Sequence, residues 1–215
     1  MAYTLHSAWR ASAPYRVRIG LALKGVAYDY AAIDLIAGQQ RETAYRVINP
    51  QGLTPALDLG DGHVLTQSLA ILEWLEETRP TPPLLPRSAL DRATVRAMAA
   101  IIACDIHPLN NTRVGRRLIT AMGHSQDDYV AWMRHWMAEG FAALEPLVAR
   151  HAGAFAFGDA PGLADCCLIP QVYGARRYEL DLAPYPAISA VADRAEQHPA
   201  FIAAHPDNQP DAKPQ

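Results

Sequence analysis

One hydroxyl stands where chemistry could start. In Trp9-Arg10-Ala11-Ser12-Ala13-Pro14-Tyr15-Arg16-Val17-Arg18-Ile19, a turn of small residues follows the strand-like Tyr3-Thr4-Leu5-His6 and opens an apolar-periodic segment. Pro14 falls in the first turn of that segment, where its missing N–H is among the donors a helix start leaves unpaired anyway. A strand feeding straight into a helix start gathers unpaired N–H groups and a positive dipole end at one point, which makes an anion site. Ser12 is the only side chain within Ala11–Pro14 able to donate to such an anion. A phosphate, a carboxylate or a thiolate would each suit it, and the turn alone does not choose among them.

Two further stretches narrow the chemistry. Gln51-Gly52-Leu53-Thr54-Pro55-Ala56-Leu57 places a proline directly before an apolar strand-like run. An X-Pro bond entering a strand from a turn is a candidate cis peptide, which would expose the backbone of Thr54. Gln67-Ser68 sits where strand-like His63-Val64-Leu65 gives way to the helix pattern Leu69-Ala70-Ile71-Leu72-Glu73-Trp74-Leu75. A second helix N-terminus with a hydroxyl and an amide suits a carboxylate. Singly, each feature is ordinary, since a Pro before a strand is usually a turn and a Ser at a helix start is usually a cap. Together, in this order, they form a set.

The elements that must position these residues follow from periodicity. A strand at 3–6 leads to a helix over 14–24 closed by Gly25, then a strand within 26–35, a short helix over 40–48, and strands at 55–59 and 63–65 joined by a hairpin. A helix over 67–78 completes a βαβ plus ββα unit. Pro80, Pro82, Pro83 and Pro86 then make a stiff linker. Beyond it the pattern is helical over 88–119, 126–150, 163–178 and 187–197, and polar residues from Asp207 to Gln215 read as a loose tail. Gly162 takes a helix N-cap position with Asp165 three residues on, so Asp165 reads as a folding residue and not a catalytic acid.

Bulk properties exclude several classes. Among 215 residues, 19 Lys+Arg against 22 Asp+Glu give a formal charge of −3, which offers no reason to expect nucleic acid or an anionic membrane surface. No apolar run approaches a bilayer span and the start lacks a signal-peptide pattern. Three cysteines, with Cys166 and Cys167 adjacent, make no disulfide framework, so a cytoplasmic location is expected. The eight histidines show no ligand spacing, and no metal is expected.

The ordered motifs resemble the glutathione transferase family, and in detail its zeta class of maleylacetoacetate and maleylpyruvate isomerases. The similarity is carried by Arg16-Val17-Arg18-Ile19 after the Ser turn, Gln39-Gln40, Asn49-Pro50, Thr54-Pro55, Gln67-Ser68 and Glu76-Glu77-Thr78-Arg79-Pro80-Thr81-Pro82. It continues through Asp105-Ile106-His107-Pro108-Leu109-Asn110-Asn111, Gly158-Asp159, Ala164-Asp165, Pro170-Gln171-Val172 and Asp181-Leu182-Ala183-Pro184-Tyr185-Pro186, and so spans 3 to about 211. The resemblance implies an α/β plus all-α fold: a thioredoxin-like domain at 1–82, a linker at 83–87 and an all-helical domain at 88–215 carrying the loose tail. It implies glutathione as the cofactor, bound by Gln40, Thr54, Pro55, Gln67, Ser68, His107 and Asn111, with His107 placed mid-helix. Catalysis then rests on Ser12 and Arg10, and Arg10, Arg113 and Arg177 hold the carboxylates of a small dicarboxylate substrate. Arg16, Arg18, Arg116, Arg117 and Arg176 read as solvated or weakly paired surface residues.

The implied reaction is cis–trans isomerisation of maleylacetoacetate or maleylpyruvate in the breakdown of tyrosine or other aromatics. It is expected in a cleft between the domains of each protomer of a two-fold homodimer. An apolar face around Leu69, Ile71, Leu72, Met98, Ile101 and Ile102 must be buried somewhere, and because part of it is core within the chain it is only weak support for the dimer. The class pattern carries Ser-Ser-Cys-Ser or similar in the turn, whereas Ala11-Ser12-Ala13-Pro14 keeps one hydroxyl and no cysteine. Two other readings stay open: transfer or dehalogenation on small α-halo acids, and a non-catalytic binding protein on the same fold.

Overall fold

The computed structural model describes residues 2–213, which divide into two compact units, residues 2–84 with 197–213, and residues 85–196. In the first unit β1 (Tyr3–Ser7) leads to α1 (Ser12–Leu23) and β2 (Tyr28–Ala32), which pairs parallel with β1. A 3-10 turn at Gln39–Arg41 and the short α2 (Thr43–Ile48) cross to β3 (Ala56–Asp58), which pairs antiparallel with β1, and β4 (Val64–Thr66) returns antiparallel beside it. The sheet order β2-β1-β3-β4 is covered by α1 and α3 (Ser68–Thr78), which pack on each other. Their close approach needs Gly20, because a Cβ there would run into the Leu72 side chain. This is the thioredoxin-like arrangement that the pattern implied, with β2 shorter than the 26–35 expected.

The chain leaves α3 through a buried ion pair. Lys24 Nζ lies 2.7 Å from Glu76 Oε2, and the ammonium also donates to the carbonyl of Pro82 at 2.6 Å. Glu76 Oε2 accepts the N–H of Leu84 at 2.7 Å, so one carboxylate holds both the helix and the proline segment that follows. Both Thr54–Pro55 and Thr81–Pro82 are cis, the first as expected from its place before a strand.

The second unit is helical: α4 (Ala89–Ala100), α5 (Thr112–Met122), α6 (Gln126–His151), α7 (Leu163–Arg177) and α8 (Pro186–Ala195). α7 is apolar on nearly every side and buried from Leu163 to Val172, as a helix at the centre of a bundle must be. It packs on α4 and α8. Its N-terminus is held by Asp165, whose carboxylate accepts from the N–H of Gly162 at 2.9 Å and of Ala156 at 2.8 Å. Burial pushes its pKa up to about 6 against the opposing effect of those two donors. Asp165 is a folding residue, as its spacing from Gly162 indicated.

Two expectations fail here. The single helix over 88–119 is two helices, because a π-helical turn at Ile101–Ile106 and then Pro108 interrupt it and Asn111 caps a new start. His107 therefore sits at the end of that turn, not mid-helix. The tail expected to be loose from Asp207 is held through Asp211 to Trp9 and Tyr30, and before it α9 (Pro199–Ala204), which the pattern did not mark, packs on α1, so residues from 197 on belong to the first unit. Positions 214 and 215 of the expected tail lie outside the described residues. Of the apolar face, Ile71, Leu72, Met98 and Ile102 are core, each 1 % exposed or less, whereas Leu69 and Ile101 are half-buried.

The Lys24–Glu76 pair yields a stability prediction. Lys24→Met strands a buried carboxylate and is expected to cost about 3–5 kcal/mol of unfolding free energy, read as a lowered urea midpoint. A change below about 1 kcal/mol would show that the pair contributes nothing net.

Candidate active site

The register of the sheet assembles the candidate residues of the first unit. One row across three strands aligns His6 of β1, Ala56 of β3 and Thr66 of β4. At that end β1 runs out into the turn before α1, β3 is entered from Thr54-Pro55, and β4 runs out into Gln67-Ser68 at the start of α3. Two helix N-termini and one unladdered peptide strand thus meet at a single sheet edge. A one-residue slip in any pairing would separate them.

The turn itself is shaped from below. Arg18, 0 % exposed, donates from Nη2 to the carbonyl of Trp9 at 2.6 Å, from Nη1 to Ser7 Oγ at 3.1 Å and to the carbonyl of Ala8 at 3.5 Å. Its Nε donates to the carbonyl of Ala204 in α9 at 3.0 Å, and its guanidinium lies over the Tyr15 ring at 5.1 Å. Arg18 thus ties β1, the turn and the C-terminal helix to one cation. The sequence reading placed Arg18 and Arg16 on the surface; both are buried, at 0 % and 2 %. The available signal was their setting, between Tyr15, Val17, Ile19 and Leu21, in a helix with no polar face.

Ser12 is the first residue of α1, with Ala11 at the N-cap, and its hydroxyl makes no capping bond and has no hydrogen-bond partner among the described residues. No acidic residue lies in the first turn to neutralise the dipole. The helix thus begins two residues earlier than periodicity suggested, and Ser12 is half-buried with its hydroxyl uncommitted. Next to it Arg10 is exposed, its guanidinium 5.1 Å from the centre of the Trp9 ring.

The loop before β3 is built by Asn49. Its Nδ2 donates to the carbonyl of Leu53 at 2.6 Å, its Oδ1 accepts the N–H of Gln51 at 3.1 Å, and Tyr45 Oη donates to the same Leu53 carbonyl at 2.7 Å. Gly52, at φ +65°, lets the loop lie against the 3-10 turn, where a Cβ would stand 2.9 Å from the Gln40 carbonyl. Thr54 lies just outside the β3 ladder, so its backbone is placed to pair with an extended peptide. Gln40 is half-buried with its Oε1 unpartnered.

At the start of α3, Ser68 is buried and its Oγ accepts from Arg16 Nη1 at 3.4 Å. Gln67 precedes it at φ +67°, a strained conformation for a non-glycine residue, and its Nε2 donates to Gln51 Oε1 at 2.7 Å. Such strain persists where the surroundings over-determine it, and it concentrates at ligand sites.

The remaining candidates belong to the helical unit. His107 is half-buried, its N–H donating to the Ile102 carbonyl at 2.9 Å. The Asn111 side chain caps α5, its Oδ1 accepting the N–H of Arg113 at 3.0 Å. Arg113 is exposed on the first turn of α5. Arg177 ends α7, stacked 4.7 Å over the Tyr178 ring with Nη2 donating to Tyr178 Oη at 2.8 Å. Among the described residues Arg10, Arg113 and Arg177 have no acidic partner, whereas Arg176 pairs with Asp193 at 2.6 Å and with Glu196, as its surface reading expected.

Two helix starts and a strand end open to pairing thus gather at one end of the sheet, an arrangement able to take anionic groups and an extended peptide. Comparison with known proteins agrees: residues 12–78 match the glutathione S-transferase N-terminal domain and residues 130–201 the C-terminal domain. The chain belongs to the glutathione transferase family. Maleylacetoacetate isomerase of Pseudomonas aeruginosa is 46 % identical over 96 % of this chain and 97 % of its own. A solved maleylpyruvate isomerase, described as a bacterial glutathione transferase of the zeta class in its holo form, superposes with a TM-score of 0.96 at 47 % identity, covering 98 % of this chain and all of that one. Maleylacetoacetate isomerase of Anaeromyxobacter dehalogenans, solved with glutathione in its active site, gives 0.89 at 47 % identity over 99 % and 98 %.

For a transferase of this family, the uncommitted Ser12 hydroxyl separates two roles by experiment. Ser12→Ala is expected to change unfolding free energy by less than about 0.5 kcal/mol. A loss of about 1 kcal/mol or more would mean that the hydroxyl caps α1 after all.

Proposed function

We propose that this transferase is a glutathione-dependent cis–trans isomerase of maleylacetoacetate or maleylpyruvate. The observation that carries the reading is the sheet row that sets an uncommitted Ser12 hydroxyl at the start of α1, the free Thr54 backbone and the buried Ser68 at one edge. The relatives' names and the glutathione-bound neighbour support it.

Glutathione, when bound, supplies a thiolate that is both a strong nucleophile and a good leaving group, which suits reversible addition to a double bond flanked by carbonyls. Ser12 donates to that sulfur, and the α1 dipole with the Arg18 cation behind the turn lowers the cost of its charge. Thr54 pairs with the cysteinyl backbone beside Pro55. Ser68 and Gln67 hold the γ-glutamyl end at the α3 start, and Gln40, His107 and Asn111 serve the glycyl end. Arg10, Arg113 and Arg177 bind substrate carboxylates, none of them paired with an acid among the described residues. The absence of a turn cysteine makes Ser12 the one side-chain activator.

Assembly and location belong to the same reading. Val47 and Leu90, 80 % and 76 % exposed, are apolar surface that a two-fold homodimer would cover. Cys104 is an exposed thiol, as suits a reducing cytoplasm, and no helix among the described residues is long and apolar enough to cross a membrane.

The direct test is glutathione-dependent conversion of each cis diacid to its trans isomer. Ser12→Ala is expected to lower kcat by on the order of 10²-fold. Arg113→Met and Arg177→Met should each weaken diacid binding by roughly 2–5 kcal/mol while leaving glutathione affinity in place. No turnover of either diacid by wild-type protein, with dehalogenation of an α-halo acid instead, would replace this reading.

A further inference from the structure

The C-terminal segment reaches the catalytic turn across the length of the chain. Asp211 Oδ2 accepts the backbone N–H of Trp9 at 3.1 Å, and Oδ1 accepts from Tyr30 Oη at 2.7 Å. The Trp9 carbonyl is taken by Arg18 Nη2 at 2.6 Å, and the same guanidinium donates to the Ala204 carbonyl in α9. Both backbone groups of Trp9 are therefore held by charged side chains, one of them from the C-terminal segment. Its ring in turn carries Arg10, whose guanidinium sits 5.1 Å from the ring centre.

The segment is itself well secured. Gln209 is buried, and its Nε2 donates to the carbonyls of Ala203 and His205 at 3.0 and 2.8 Å. The His205 ring meets Tyr15 of α1 edge-on at 6.2 Å. Asp211 thus arrives at Trp9 from a fixed base.

We propose that Asp211 is a positioning residue for Arg10: it pins Trp9, and the pinned indole holds the arginine that receives a substrate carboxylate. An exposed arginine otherwise surrenders rotamer freedom when it binds, and a stacked platform removes part of that cost before substrate arrives. The inference rests on the reading of Arg10 as a carboxylate ligand. It goes beyond that reading by assigning a function to a segment outside the glutathione contacts.

The test compares Asp211→Ala, Tyr30→Phe and Arg10→Met by steady-state kinetics with glutathione and the maleyl diacid. Asp211→Ala is expected to raise KM for the diacid about tenfold, the scale of one charge-assisted hydrogen bond, while KM for glutathione and kcat stay within about twofold. Tyr30→Phe removes the other partner of the same carboxylate and should leave the diacid KM unchanged. Asp211→Asn keeps one acceptor and is expected to give a smaller rise in the same direction, which covers failure of the alanine variant to fold. An unchanged diacid KM in the Asp211 variants, with a raised one in Arg10→Met, overturns this inference alone, as does an equal rise in Tyr30→Phe. An unchanged KM in Arg10→Met overturns the assignment of Arg10 and the inference with it.

Discussion

A buried guanidinium is the constraint on which the rest of the first unit depends. Arg18 is fully enclosed, and a charge so placed is tolerated only where its donors are met. Here the partners are the carbonyls of Trp9, Ala8 and Ala204 and the hydroxyl of Ser7. Meeting them forces the chain after β1 to curl back over α1 and forces α9 to dock beside it. The turn that exposes Ser12 is therefore the shape that satisfies Arg18.

A second constraint is the ladder row through His6, Ala56 and Thr66. Strand pairing has a side-chain period of two, so each register is specified by which face is buried. Leu5 and Leu57 are fully buried and paired, and this fixes the edge at which Thr54 and Gln67 emerge. Core packing thus fixes where those two residues emerge. Asn49 and Gly52 shape the remaining loop, and the Gln67 strain shows where local preference yields to that placement.

Much of this was legible in the order of residues. The strand, helix, strand, hairpin and helix succession could be read from period and turn residues, and the cis bond at Pro55 from its place before a strand. Asp165 declared itself as a cap by its spacing from Gly162. The break at 101–111 was hidden because apolar periodicity runs through Ile101, Ile102 and Ile106, and only Pro108 and Asn111 mark the stop and restart. The C-terminal segment misled for another reason. Its ties are single long-range acceptors, Asp211 to Trp9 across 202 positions, and no local pattern encodes a partner so distant. The burial of Arg16 and Arg18 fell between the two cases: the apolar flanks were visible, but the carbonyls that satisfy Arg18 were not.

The central claim is that the start of α1, with Ser12 and the cation behind it, stabilises a thiolate. The most direct measurement is an ultraviolet titration of the thiolate of glutathione bound to the wild-type protein. A helix start, a hydroxyl donor and a nearby guanidinium each favour the charged sulfur, so the bound thiol should titrate at least one pH unit below free glutathione, about 1.4 kcal/mol of preferential binding to the anion. A bound thiol that titrates where the free one does would contradict the account, whatever the isomerase rate.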